Sequence, residues 1–281
     1  MGGDSIKTLI AIPAMSTVHT DFMKCFTALR RVGETRFGVT KCSMIHDARN
    51  EFASKAIMGG YDRVLWLDSD MVFEPDLMER LSADMDEYRE YVSALAFKRV
   101  FPTSPVIYKR IGQNAETGLY EAETYKAYPK DELFRVAGSG FGAVMTSVNL
   151  LKQVWDKYGP PFFYHANLGE DISFCYRVNE LGMPMYCDSR VKVGHIGNVV
   201  FDESVYDFQT KNGRYPSVDD TCDISIPELI AKYKAGTLIE SVRCTECAKA
   251  NCCPIGTKPI AEKMACVDGV RKQKGGADDG G

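Results

Sequence analysis

Short apolar runs alternate along the first two thirds of the chain with segments whose apolar positions recur every three or four residues. Thr8-Leu9-Ile10-Ala11-Ile12 stops at Pro13 and has the length and composition of a buried strand. Phe22, Met23, Phe26 and Leu29 follow at helical spacing before Gly33. Residues 36–42 read as a second strand. Ala48, Phe52, Ala53, Ala56 and Ile57 mark an amphipathic helix closed by Gly59-Gly60, and residues 63–67 form a third, continuously apolar strand. Pro75 opens a helix to about residue 90, and residues 92–97 make a fourth strand. Strands joined by helices of this length predict an α/β domain built on a largely parallel sheet with helices on both faces.

The middle of the chain is less regular. Residues 100–130 carry Pro102, Pro105, Gly112, Gly118 and Pro129 among Tyr and Val, the composition of short strands and loops. Residues 133–137 read as a returning strand, followed by the flexible turn Gly138-Ser139-Gly140-Phe141-Gly142. A helix over 147–158, the aromatic loop Pro160-Pro161-Phe162-Phe163-Tyr164, a helix over 171–181 and a strand at 191–193 leading to His195 come next. Beyond about residue 205 the rhythm fades. The expected organisation is a catalytic domain at 1–205, an extension with a short helix at 206–240, a Cys-rich segment at 241–270 and a tail at 271–281.

Composition narrows the function classes. Among 281 residues, 45% are hydrophobic and 26% charged, which excludes disorder for the bulk of the chain. A net charge of −4 provides no basic field for nucleic acid or an anionic membrane. No apolar run is long enough to span a bilayer, and the first residues lack a signal core, so the expected location is the cytoplasm. Of ten cysteines, Cys25, Cys42, Cys175, Cys187 and Cys222 are scattered and read as buried free thiols.

The chemistry concentrates where Val64-Leu65-Trp66-Leu67 runs into Asp68-Ser69-Asp70. The carboxyl end of a buried strand opens on the crevice where α/β proteins bind ligands. Carboxylates there suit a hard divalent cation, and a diphosphate carries complementary oxygens. Asp84-Met85-Asp86 is the internal control: it sits in a helical pattern, where residues two apart face different sides, and reads as solvated surface. Glu170-Asp171 opens a later helix. Such carboxylates complement the helix dipole, and one beside an acceptor hydroxyl would serve as a general base.

These segments together resemble glycosyltransferases of the GT-A fold, of the inverting, family-two-like kind. The resemblance is carried by Ile12-Pro13-Ala14, His46-Asp47-Ala48-Arg49-Asn50, Leu65-Trp66-Leu67-Asp68-Ser69-Asp70-Met71, Gly169-Glu170-Asp171 and His195, in that order, over residues 5 to 200 or so. It implies a Rossmann-like, mostly parallel mixed sheet and transfer of a sugar from a nucleotide donor, UDP-linked by preference, to an acceptor hydroxyl. It implies donor contacts at Ala11, Pro13, Arg49, Asp68, Ser69 and Gly138. It implies a Mn²⁺ or Mg²⁺ site at Asp70 and His195 with Asp68 on the metal or the ribose, Asp171 as base, and Glu170 orienting the acceptor. Phe162-Phe163-Tyr164 reads equally as a sugar-stacking platform or a hydrophobic plug.

Rival readings remain. A haloacid-dehalogenase-like phosphohydrolase also places Asp-x-Asp after an apolar strand, usually the first, whereas two strand–helix units precede it here. A sugar nucleotidyltransferase would need a Gly-rich Arg loop after the first strand, and a nucleotide-sugar-binding module would have no use for Glu170-Asp171. The tail offers a separate class: Cys244 and Cys247 have zinc-knuckle spacing, and Cys252 or Cys253 with Cys266 would complete a thiolate site for Zn²⁺ and self-association.

Overall fold

The computed structural model describes residues 5–14, 16–41, 44–197 and 199–212, and the backbone of 242–243 and 265–266. The chain divides into two compact units, Met1–Asp207 and Phe208–Gly281. In the first, β1 (Lys7–Ala14) is followed by α1 (Thr20–Ala28), β2 (Glu34–Lys41), α2 (Ile45–Met58) and β3 (Arg63–Leu67). β2 and β3 both pair parallel with β1, one on each side. The strand order therefore reverses at β1, and the carboxyl ends of β1 and β3 flank a crevice of the kind in which open α/β sheets bind ligands.

The chain continues through β4 (Met71–Phe73), α3 (Leu77–Asp84) and β5 (Tyr91–Leu95). β6 (Ile107–Gln113), β7 (Tyr120–Thr124) and β9 (Gly138–Ser139) make a separate three-stranded sheet, and β8 (Leu133–Val136) returns to the main one. Then come β10 (Ala143–Ser147), α4 (Val148–Tyr158), α5 (Glu170–Glu180), β11 (Met185–Ile196), β12 (Val200–Phe201) and α6 (Glu203–Asn212). The main sheet runs β12-β11-β5-β10-β3-β1-β2. Its β2-β1-β3 and β5-β11 pairs are parallel, and β10 is antiparallel to both of its neighbours. This is the largely parallel α/β sheet that the periodicity predicts, made mixed by the antiparallel β10.

Alternation explains the two cores. Leu9, Ala11, Val64 and Trp66 pack with Phe52 and Ala53 of α2 and with α4 and α5. Their neighbours Ile10, Ile12, Leu65 and Leu67 pack on the opposite face with Phe22 and Phe26 of α1 and with α3. A strand buried on both faces reads as a continuous apolar run because each face needs every second residue.

Several boundaries differ from the sequence reading. β10 was not expected: its five residues lie between a glycine-rich segment and a helix, and it acquires strand character by filling the gap between β3 and β5. β11 spans twelve residues rather than three. α3 ends at Asp84, well before residue 90. Gly138-Ser139 is a strand paired with Ile107 and Tyr108, not a free turn. Asp84 is not solvated surface either. Its side chain is 13% exposed, ion-paired with Arg190, and lies beside buried Asp188 of β11. Burial, then the hydrogen bond with Asp188, pushes its carboxyl up to about 6. Cys175 and Cys187 are buried free thiols, each pushed up to about 12 by burial, and Cys25 is a partly exposed free thiol.

In the second unit, β13 (Val242–Arg243) pairs antiparallel with β14 (Ala265–Cys266). The expected zinc ligands Cys244, Cys247, Cys252 and Cys253, the side chain of Cys266, and Cys42 and Cys222 lie outside the described residues. Among the described residues no helix is long and apolar enough to cross a membrane.

Candidate functional site

A cavity of about 660 Å³ opens at the ends of β1 and β3. Pro13, Ala14, Met44, Ala48 and Tyr164 form its apolar wall, and Asp68, Ser69, Asp70, Arg99 and His195 its polar wall. The turn after β3 is fixed by its backbone. Asp68 N–H donates to Gly142 O (3.1 Å), Met71 N–H to Asp68 O (3.3 Å), and Ile196 N–H to Asp70 O (2.8 Å). β4 then pairs with β11 so that Met71 lies opposite His195, which brings the Asp70 carboxylate to the imidazole.

Each residue of His46-Asp47-Ala48-Arg49-Asn50 except Asp47 has a place in the site. His46 packs its ring against Phe163 and Tyr164, with centroids 6.0 and 4.9 Å away. Ala48 lines the cavity, and Asn50 Oδ1 accepts the Phe162 N–H at 2.9 Å. The aromatic loop splits between its two readings. Phe162 is a fully buried plug against Trp66, Phe141 and Phe174, whereas Phe163 and Tyr164 are about half exposed, Tyr164 on the cavity. Arg177 Nη1 holds the loop by donating to Pro161 O and Phe163 O at 2.8 and 2.7 Å.

Arg49 is not on the cavity. Only 3% of its side chain is exposed; Nη2 donates to both carboxylate oxygens of Asp68 (2.9 and 3.2 Å) and Nη1 to Glu170 Oε1 (2.5 Å). Its guanidinium lies 5.2 Å from the centroid of the Phe141 ring. The role expected of it, contact with donor phosphate or base, gives way to a buried strut between the end of β3 and the start of α5. Burial works to strip its proton, but Asp68, Asp171 and Glu170 together hold its pKa above the usual arginine value.

The two acids of the triplet face different cations. Asp68 is committed to Arg49; burial raises its carboxyl despite that partner, and Asp70 adds to the rise. Asp70 Oδ2 accepts from Arg99 Nη1 at 2.6 Å and lies 3.2 Å from His195 Nε2, while His195 Nδ1 lies 3.2 Å from Phe97 O. Burial alone would raise Asp70, but His195 and Arg99 hold it below the ordinary carboxylate value. Burial likewise opposes the charge on His195, and Asp70 and the Phe97 carbonyl raise its pKa nonetheless. A carbonyl only accepts, so Nδ1 carries the proton on that side. In the neutral ring the Nε2 lone pair then points at the Asp70 carboxylate, an arrangement that needs a positive charge between them, proton or metal. Among the described residues no three His, Cys, Asp or Glu side chains form a group that could hold a metal ion by themselves.

Glu170 and Asp171 sit in the first turn of α5 behind Gly169. Asp171 Oδ1 accepts the Ile172 N–H at 2.7 Å. A methyl group placed on Gly140 would lie 3.7 Å from Asp171 Oδ2, so that glycine leaves room beside the second oxygen. Desolvation pushes Asp171 up to about 6, with Arg49 opposing and Glu170 assisting the shift. Asp171 keeps part of its surface open.

Two expected donor contacts lie beneath the site. Ala11 is fully buried between Gly38 and Trp66 of the flanking strands. Gly138 is buried where a Cβ would stand 2.6 Å from Cys175 Cβ, so its glycine serves the close approach of β9 to α5. Arg99 is the residue that sequence reasoning missed; its signal was position, two residues beyond the buried run ending at Phe97. A second cavity, of about 730 Å³, is bordered by Arg30, Arg80 and Arg190, but each of these is already paired, with Glu79, Asp76 and Asp188.

No protein-family model matches the chain, and no curated protein matches its sequence. Among solved structures, the crystal structure of A197 from STIV is similar over 68% of this chain and 86% of its own, at 19% identity and a TM-score of 0.48.

Proposed function

We propose that the protein is a metal-dependent glycosyltransferase that moves a sugar from a nucleoside-diphosphate donor to an acceptor hydroxyl with inversion. The observation that carries this reading is the placement of the acids: Asp68 and Asp70 line a strand-end cavity, and Arg49 ties Asp68 to Glu170, the neighbour in sequence of the half-buried Asp171. The mixed sheet agrees with the GT-A resemblance, which is also what favours UDP as the nucleotide.

In this reading Pro13, Ala14 and Ala48 receive the apolar part of the nucleotide, and Asp68 and Ser69 face the ribose and diphosphate. Asp70 and His195 would hold Mn²⁺ or Mg²⁺, with donor oxygens completing the shell; bound there, the cation would neutralise charge on the departing diphosphate. Asp171 accepts the proton of the acceptor hydroxyl as its oxygen bonds to the anomeric carbon. The bond from that carbon to the diphosphate breaks, and its electron pair leaves with the nucleotide. Glu170, held by Arg49, orients the acceptor.

The test is turnover against a panel of UDP- and GDP-sugars, with Mn²⁺ and with excess chelator. Cation-dependent release of nucleoside diphosphate is expected. Release of phosphate from phosphomonoesters, with nucleotide sugars untouched, would overturn the proposal in favour of a hydrolase.

A further inference from the structure

A diphosphate cavity calls for a guanidinium, and the one that the motif offers, Arg49, is buried and spent on two carboxylates. Arg99 is in the cavity instead. Its side chain is 54% exposed, and it donates to Asp70 Oδ2, the same oxygen that faces His195 Nε2. A divalent cation held by Asp70 and His195 claims that oxygen too, so cation and guanidinium compete for it. The backbone that carries Arg99 is fixed. Lys98 N–H donates to Ser104 O (3.0 Å), Thr103 Oγ1 to Lys98 O (2.7 Å), and Phe97 bridges to Pro105. A displaced guanidinium is therefore tethered at the cavity's edge, within reach of phosphate oxygens that its planar fork matches.

We propose that Arg99 is a ligand of the donor diphosphate, held in reserve on Asp70 and transferred to phosphate when a divalent cation takes the carboxylate. This rests on the glycosyl-transfer reading and deepens it: metal and donor become coupled through one side chain. Metal alone must break an ion pair and leave Arg99 unpartnered; with donor present the guanidinium is paired again. Each ligand therefore tightens the other by the same factor.

The experiment is calorimetric titration of the full chain with Mn²⁺ alone, with UDP alone, and with UDP at saturating Mn²⁺, for wild type, Arg99→Ala and Arg99→Lys. Arg99→Ala is expected to bind Mn²⁺ alone several-fold more tightly, because a competitor is gone. It should bind UDP at saturating Mn²⁺ about tenfold more weakly, the loss of one charge-assisted hydrogen bond. Arg99→Lys should recover part of the UDP affinity. A merely structural role would lower both affinities together, and that result overturns the proposal, as does unchanged UDP binding by Arg99→Ala. Wild type that binds neither UDP nor GDP, with or without Mn²⁺, overturns the glycosyl-transfer reading itself.

Discussion

Arg49 shows how much one side chain decides. It occupies the first position of the stripe Arg49, Phe52, Ala53, Ala56, the i, i+3, i+4, i+7 face that α2 turns to the core. A charge there survives only with partners, and it finds them just past β3 and at the start of α5, 19 and 121 residues away. Arg49→Met should destabilise the fold by about 3–5 kcal/mol in urea titration, because Asp68 and Glu170 are left without their counter-ion. A loss below about 1 kcal/mol would show that water reaches those carboxylates. Asp171 makes a different prediction. Asp171→Asn should abolish turnover while UDP affinity stays within about twofold of wild type, since the amide keeps the shape and loses the proton acceptor. The base works ionised, so wild-type turnover should fall as pH drops through about 6, roughly tenfold per unit below that. A flat profile between pH 5 and pH 8 would place the base elsewhere.

The elements that departed from the sequence pattern are those whose character depends on neighbours. β10 is a strand because β3 and β5 leave a gap for it, and Trp66 Nε1 donates across to Thr146 Oγ1 at 2.9 Å within that pairing. The end of α3 meets β11 in the same way, setting Asp84 against Asp188 and Arg190. Asp84 holds its proton more tightly folded, near 6, than at its ordinary value of 3.8. The folded state therefore binds more protons between those values, and this group's contribution to stability falls as pH rises from about 4 to about 6. Asp84→Asn, neutral at every pH, should raise Tm by a few degrees at pH 7.5 and by less at pH 4. A gain of the same size at both values would trace the effect to packing rather than to the proton.

Among the described residues, every member of the apolar clusters lies between Leu9 and Tyr206, and so does every proposed site residue. Deleting residues 241–281 should therefore leave soluble protein with undiminished UDP binding; wholesale unfolding would show that the tail belongs to the main core. The sequence alone determined the strand–helix alternation, the doubly buried strands and the place of Asp68 and Asp70 after one of them, because periodicity and chain order are local properties. It also marked Glu170-Asp171 at a helix start. Tertiary structure decided that Arg49 is a strut, that Arg99 faces the cavity, that Asp84 is half-buried beside Asp188 and that Asp70 meets His195. Those outcomes depend on which charges lie within a few ångströms of one another across 19 to 125 residues of chain. Burial and Coulomb energy follow distance in space, and no local pattern encodes it.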